Sequence, residues 1–285
     1  MTSTTIRPVE IPNPYHRVIE PPRGWMALNL REVWEYRDLL FFMIWRDLKA
    51  RYRQTALGPL WIIIQPFLSM VLYTLVFGLI AKLPSEGKPY AVFAYVALLP
   101  WNLFTTAVSS ATNSFLSSIG LISKVYFPGL IIPLAQVVSA LADFAISFVI
   151  LLGMLFYLQI TPTWGILLIP VFVVIAIVMG LGIGFWFSGV SVYYRDFTNL
   201  VGYFVRALMY ASPVVYSITI IPEEWRTLYR LNPMTGVIEG FRWALLGTGQ
   251  PPDWTLLLSL ILFLPILIVG LYVHKRFERN IVDHA

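Results

Sequence analysis

Two ionisable side chains lie inside long apolar stretches of this sequence. Asp143 falls in a run from Leu130 to Tyr157, and Arg206 in a run from Leu200 to Ile221. A charge at the centre of a bilayer costs roughly 2.5–3.5 kcal/mol on insertion scales. Each must therefore face a protein interior, a partner or water. Together they can supply a polar interior surface, pairing with each other, either as structural glue or as part of a pathway. A second set is aromatic. Phe67, Tyr73 and Phe77 lie deep in a run from Leu60 to Ala81, and Tyr203 and Tyr210, seven residues apart, share a helix face. Such a face can stack on the apolar faces of sugar rings while its hydroxyls take hydrogen bonds. Ordinary helix packing uses the same residue types.

Other chemistry is excluded. The chain has no cysteine, so disulfides and thiol catalysis are ruled out. His16, His274 and His284 fall outside the apolar runs, no cluster has metal-ligand spacing, and no residue is a catalytic candidate. No glycine opens a G-x-x-x-x-G-K-[ST] loop, so any ATP-driven step needs a separate ATPase chain. Gly180, Gly182 and Gly184 sit deep in an apolar run, where a dinucleotide fingerprint is untenable. Gly180 and Gly184 instead make a G-x-x-x-G pair, suited to close helix packing within the chain rather than to dimerisation.

The elements that must carry these residues are transmembrane helices. The 285 residues are 58% apolar and 12% charged, whereas soluble domains run nearer 45–50% and 25%. The fold class is an all-α integral membrane protein. Six apolar runs are long enough to cross a bilayer: Leu60–Ala81, Tyr90–Ala111, Leu130–Tyr157, Gly165–Val190, Leu200–Ile221 and Trp254–Val273. Trp61, Trp101, Trp164 and Trp254 at their ends suit an interface belt. Residues 1–28 form a Pro-rich tail with no signal-peptide core, so the first span must serve as its own insertion signal. Residues 29–56 follow as an amphipathic helix at the cytoplasmic interface, with Asn29 and Glu32 as a capping box and Leu30, Val33, Trp34, Leu40, Phe41, Ile44 and Leu48 at helical spacing. Residues 57–285 are the six-helix domain, opened by a turn at Leu57-Gly58-Pro59.

Arg46, Lys49, Arg51 and Arg53 directly precede the first span and hold that end in the cytoplasm. With six crossings both termini lie inside. Lys124, Arg195, Lys275, Arg276 and Arg279 then fall on the inner side, against Lys82, Lys88, Arg226, Arg230 and Arg242 outside. The short inner connection after the fourth run holds Arg195 and Asp196 at the surface, a topology anchor. The first inner loop contains Ser117, Ser118, Ile119, Gly120, Leu121, Ile122, Ser123, Lys124, Val125 and Tyr126, a short helix closed by Pro128 and a natural contact point for a soluble partner. The outer connection from Pro222 to Asp253 reads as two helices. Pro222, Glu223 and Glu224, just before Trp225, start the first, and Asn232-Pro233 starts the second, which ends at Gly247. Met234, Val237, Ile238, Phe241 and Leu245 share one face of the second, with Glu239 and Arg242 largely off it. Neither helix can cross a bilayer, so they predict a re-entrant or surface hairpin that caps a path from outside.

Four stretches occur in order: LKARYRQTALGPLWIIIQP, LISKVYFPGLIIPLA, YYRDFTNLVGYFVRALMYASPVVY and NPMTGVIEGFRWALLG. They resemble the permease subunit of type 2 ABC exporters of polysaccharides, a family that moves O-antigen, capsular polysaccharide or teichoic acid. The resemblance covers about Asn29 to the C-terminus. Gly129 departs from it, since relatives often carry a charged residue after the Phe-Pro. The family implies a homodimer bound to two ATPase subunits that use ATP and Mg, an interface helix, a coupling helix at Ser117–Tyr126, and an outer gate at Glu223, Glu224, Trp225, Asn232, Pro233, Phe241 and Arg242. It places the first and fifth helices along the channel, which would bring Phe67, Tyr73, Phe77, Tyr203 and Tyr210 to a glycan. The cargo it implies is a lipid-linked chain crossing the cytoplasmic (inner) membrane. From charge and position, Arg51 and Arg53 can attract a pyrophosphate at the entrance. A permease for a drug or lipid is the alternative. A membrane enzyme on polyprenyl-linked sugars fits less well, because the acids are scattered. Nucleic acid is not an expected partner.

Overall fold

The computed structural model describes residues 30–53, 60–117, 127–194 and 196–284, and among these the regular structure is helical throughout. The elements are α1 (Leu30–Glu35), α2 (Arg37–Arg53), α3 (Leu60–Tyr73), α4 (Tyr90–Thr112), α5 (Ile131–Tyr157), α6 (Ile169–Tyr193), α7 (Asp196–Tyr210), α8 (Glu223–Arg230), α9 (Pro233–Leu246) and α10 (Trp254–His284). A π-helix, Thr74–Ile80, extends α3, and a 3-10 turn, Trp164–Leu168, leads into α6. Five described helical stretches are long and apolar enough to cross a membrane: Ile63–Ile80, Tyr90–Thr112, Ile131–Tyr157, Trp164–Tyr193 and Trp254–Glu278.

The remaining apolar run, Leu200–Ile221, differs from expectation. It is helical only as far as Tyr210, so α7 has 15 residues, about 22 Å at 1.5 Å per residue. That is short of a bilayer core of about 30 Å. Pro213 gives the reason. It lacks a backbone N–H and disfavours a helical conformation at Ser212. The chain then runs through turns to a short 3-10 helix at Ile218–Ile220.

α4 is the centre of the molecule. Its side chains from Val92 to Leu99 are all buried, which is what an all-round apolar helix requires when other helices surround it. α6, α5 and α9 pack directly on it, and α6 makes the longest seam. Small residues permit that seam. A Cβ added at Gly180 would lie 2.6 Å from the Phe104 carbonyl oxygen and 2.6 Å from the Ala107 Cβ. One added at Gly184 would lie 2.5 Å from the Val108 oxygen and 2.6 Å from the Ala111 Cβ. The G-x-x-x-G pair is therefore an internal packing device, as expected. Trp101 is buried against Phe104 rather than placed at an interface, while Trp61, Trp164 and Trp254 are exposed.

α3 is the opposite case. It is as apolar as α4, yet Leu68, Leu72, Leu75, Leu79 and Ile80 face outward. Ahead of it, the expected interface helix is divided at Tyr36 into α1 and α2. Its apolar residues also fall on two faces. Val33, Leu40, Met43 and Ile44 pack on Phe127, Ile131, Ile132 and Ala135 at the start of α5. Trp34, Phe41, Phe42 and Trp45 project outward, each more than half exposed. One face thus anchors the helix to the bundle and leaves an aromatic face of the kind that lies in a membrane interface. Asn29, Gln54 and the Leu57-Gly58-Pro59 turn lie outside the described residues, as does the tail.

Candidate functional site

α8 and α9 begin and end where their sequence signals indicate. Pro222 precedes α8, whose first turn carries Glu223 and Glu224. The Asn232 side chain accepts from the Met234 N–H at 3.0 Å, and Pro233 follows as the first residue of α9. Gly247 closes α9 with φ of 68°, a left-handed conformation suited to glycine. Thr163 meets that end, its N–H donating to the Ala244 carbonyl at 2.8 Å. α8 is amphipathic and leaves Trp225 and Leu228 exposed.

α9 is not a surface helix. Met234, Val237, Ile238, Phe241 and Leu245 are buried, as their shared stripe predicts, but Glu239 and Arg242 are buried as well. Arg242 is wholly inaccessible. Its Nη1 donates to Glu239 Oε1 at 3.2 Å and to the Tyr216 carbonyl at 3.2 Å, and its Nη2 donates to the Val214 carbonyl at 3.0 Å. Its guanidinium lies 3.7 Å from the centre of the Phe93 ring on α4. Burial pushes the Glu239 carboxyl above its usual range, and the neighbouring Arg242 charge opposes that shift. Counting Arg242 among the outer topology cations is thus corrected: it is an internal strut. The sequence signal was Glu239 three residues ahead, an i,i+3 ion pair set in an otherwise apolar helix.

Glu86, in the connection between α3 and α4, was not singled out by sequence. It accepts from the Ser217 hydroxyl ahead of α8 and from the Gly249 N–H after α9, the latter at 2.8 Å. One carboxylate therefore ties both ends of the two-helix element to the loop before α4. At the end of α7, the Tyr210 carbonyl accepts from the Tyr216 hydroxyl at 2.8 Å, and that hydroxyl is hydrogen-bonded to the hydroxyl of Tyr229 on α8. Burial pushes the Tyr229 hydroxyl further up from its already high range.

The aromatic candidates lie along α3 and α7. Phe67, Tyr203 and Tyr210 are exposed, and Tyr73 and Phe77 are half-buried. The rings of Tyr73 and Phe77 are 5.9 Å apart. The Tyr73 hydroxyl lies 3.7 Å from Met209 Sδ, which joins α3 to α7. The structure thus brings these two helices together and leaves tyrosine and phenylalanine faces open on both. Arg206 is exposed with its guanidinium 5.3 Å over the Tyr203 ring, while Asp143 is half-buried on α5. Beside α7, a cavity of about 450 Å³ opens between α4, α6 and α10. Its walls include Trp101, Phe104, Phe204 and Phe263, with Ser212 and Asn232 as polar groups.

Arg51 and Arg53 fall in the last turn of α2, and their side chains lie outside the description. Of the inner-loop segment, Ser117 is described and residues 118–126 are not. The Ser117 N–H donates to the Asn113 carbonyl at 2.9 Å. His274, which sequence placed beyond the last apolar run, is instead fully buried within α10. It sits between the rings of Phe115 and Phe185 at 4.4 and 4.5 Å. Among the described residues, no group of three or more metal-ligating side chains comes together.

Comparison with known proteins covers most of the chain. The ABC-2 type transporter family model covers residues 38–246. The chain is 31% identical to the O-antigen export system permease protein RfbA of Myxococcus xanthus, over 82% of this chain and 90% of that one. It is 26% identical to the O-antigen export system permease protein RfbA of Klebsiella pneumoniae, over 86% and 94%. It is also 26% identical to the inner membrane transport permease YadH of Escherichia coli strain K12, over 84% and 91%. The match runs from α2 to the end of α9, so it takes in the long spans before α10, the shortened α7 and the buried α9 alike, and the chain belongs to the ABC-2 type transporter family.

Proposed function

We propose that this chain is the membrane-spanning subunit of an ATP-driven exporter that moves a lipid-linked, O-antigen-like polysaccharide across the cytoplasmic membrane. The observation that carries this reading is the similarity to O-antigen export permeases over nine-tenths or more of their length. The open aromatic faces on α3 and α7 suit it. A ring stacked on a sugar contributes little per contact, so a chain can be held and released repeatedly as it advances.

The energy source is a separate ATPase that binds ATP and Mg and docks on the inner face at Ser117–Tyr126. Two permease copies pair through the exposed apolar face of α3 together with α7, and two ATPase copies serve them. Both termini lie in the cytoplasm. α7 and the turns after it make the fifth of six crossings, with the non-helical part shielded by α9. α8 and α9 form the outer gate, and Arg51 and Arg53 attract the pyrophosphate of the lipid carrier at the entrance. Closure of the ATPase dimer on ATP moves the inner loop, the two halves shift, and the glycan advances. No bond in the cargo is made or broken in this chain.

The test is purification and reconstitution with the cognate ATPase. The expected result is a stable complex whose ATP hydrolysis drives lipid-linked glycan into the vesicle lumen. Deletion of residues 117–126 should abolish the complex while the permease stays folded. Uptake of cargo by the permease alone would overturn the reading. A second reading, export of a drug or lipid, is favoured by the apolar cavity beside α7. ATPase stimulation by such a compound but not by the glycan would establish it instead.

A further inference from the structure

The end of α10 reaches the chain on both sides of residues 118–126. On the leading side, the His274 ring stacks on Phe115 at 4.4 Å with an angle of 14° between planes. Its Nδ1 lies 2.8 Å from Ser188 Oγ, whose hydroxyl points to the Phe185 carbonyl at 2.8 Å. Ser188 thus bridges the imidazole and the Phe185 carbonyl. The imidazole is thereby fixed to α6 by one edge and presents a flat face to Phe115.

On the trailing side, one helical turn further along α10, Glu278 Oε1 accepts from the Gly129 N–H at 2.7 Å. Lys275 pairs with the other carboxylate oxygen at 3.1 Å and steadies it. Gly129 stands just ahead of α5, where the first backbone N–H groups lack helical partners and attract an anion. A Cβ at that position would lie 3.0 Å from both Cδ and Oε1 of Glu278. The missing side chain is therefore what lets the carboxylate reach the backbone. Phe277, between these contacts, packs on Gly189 and on the Tyr193 ring at 6.0 Å, which fixes the same turn of α10 to the end of α6.

We infer that His274 and Glu278 are positioning residues that clamp the two ends of the first inner loop to the last membrane helix, so that movement of the loop is passed directly to α10. The inference rests on the reading that the loop receives an ATPase. It goes beyond that reading in naming the helix that is driven and the residues that drive it. Glu278 supplies a charge-assisted bond to backbone, which ties the start of α5 whatever side chains the loop carries. His274 supplies a stacked contact that resists rotation of Phe115 away from α10.

The test uses the full-length permease, alone and with its ATPase. Hydrogen exchange at the Gly129 amide and its neighbours Leu130 and Ile131 should quicken by about tenfold or more in Glu278→Ala, the loss of a hydrogen bond to a charged group. Glu278→Gln keeps an acceptor oxygen and should stay close to the parent chain. In the reconstituted complex, Glu278→Ala should lower the cargo moved per ATP hydrolysed several-fold, with the complex itself intact and Glu278→Gln again close to normal. Because the chain has no cysteine, spin labels at Leu116→Cys and Arg276→Cys give a clean distance between loop and α10. That distance should stay fixed between nucleotide-free and ATP-bound complexes. Unaltered exchange in Glu278→Ala, an unaltered ratio of cargo to ATP, or a distance that changes with nucleotide would each overturn the clamp. Failure of the parent chain to bind the ATPase would sink the docking reading alone, while the exchange measurement on the free permease would still judge the clamp.

Discussion

The Arg242 guanidinium lies 3.0 Å from the carbonyl oxygen of Val214, a residue 28 positions earlier in the chain. Helix α7 has ended by then, and Val214 and Tyr216 sit in buried or half-buried turns with no helical neighbour to take up their carbonyls. Unpaired backbone groups in such surroundings cost several kcal/mol each. Arg242 serves both carbonyls and Glu239 at once, so one side chain makes the interruption of an apolar run tolerable.

Replacement of Arg242 by Met should therefore be among the most damaging single changes. It leaves Glu239 buried without its countercharge, a loss of about 3–5 kcal/mol for a broken buried pair. Thermal unfolding in detergent should show it as a large drop in Tm. Adding Glu239→Leu to Arg242→Met should recover part of the loss, because the unpaired carboxylate is then gone. Full stability in the single variant would show that the pair is not structural.

Glu86 gives a second, milder case. Its carboxylate accepts from Ser217 and from the Gly249 N–H. Glu86→Ala should cost about 1.5–3 kcal/mol, the range for one hydrogen bond to a charged group, because the loop can recruit water at the other. Proteolysis between α9 and α10 should quicken in that variant, and Glu86→Gln should lie between it and the parent chain. Equal proteolysis rates in all three would remove Glu86 as the tie.

The glycines separate into two kinds with opposite expected effects. Gly184→Ala should destabilise by about 1–3 kcal/mol, since its Cβ meets backbone at 2.5 Å and α4 and α6 must part to admit it. Gly153→Ala, in α5 with nothing within 4 Å of the added atom, should gain up to about 1 kcal/mol. Paired melting curves of the two variants decide the point, and a stabilised Gly184→Ala would contradict the seam.

On the aromatic faces, Tyr203→Ala and Tyr210→Ala should slow glycan export by roughly two- to tenfold each, from the loss of about 0.5–1.5 kcal/mol of stacking. Both side chains are exposed in the single chain, so Tm should barely change. Tyr73→Phe removes only a long contact to sulfur and should export normally. Normal export from the Tyr203→Ala, Tyr210→Ala double variant would take these rings off the path.

Where sequence and structure agree, the signal was local. Asn232, Pro233 and Gly247 mark α9 because a side-chain acceptor, a missing N–H and a left-handed φ each belong to one point of a helix end. Gly180 and Gly184 revealed a close seam, since only small residues at that spacing allow one. The partner of that seam, Ala107 and Ala111, was not visible, because alanine is unremarkable in any apolar run. The failures were tertiary. Leu200–Ile221 read as one unbroken apolar run on hydropathy alone, which is blind to the end of the helix at Tyr210 and to carbonyls that need a donor from another segment. Arg242 read as an outward cation because its compensating partners, Phe93, Val214 and Tyr216, are remote in sequence. Trp101 read as an interface anchor because its chemistry is the same there as in a core.

The buried α9 also constrains the order in which the molecule can be made. Everything that Arg242 bonds to or stacks upon precedes it in the chain, and synthesis delivers the N-terminal part first. Its seat is thus complete when α9 emerges from the ribosome, except for the wall supplied by α10, where Leu256 covers Gly236. A nascent chain stalled just after Gly247 should hold α9 in an unfinished slot, open to protease on one side, and the last helix should close it as the final step of assembly.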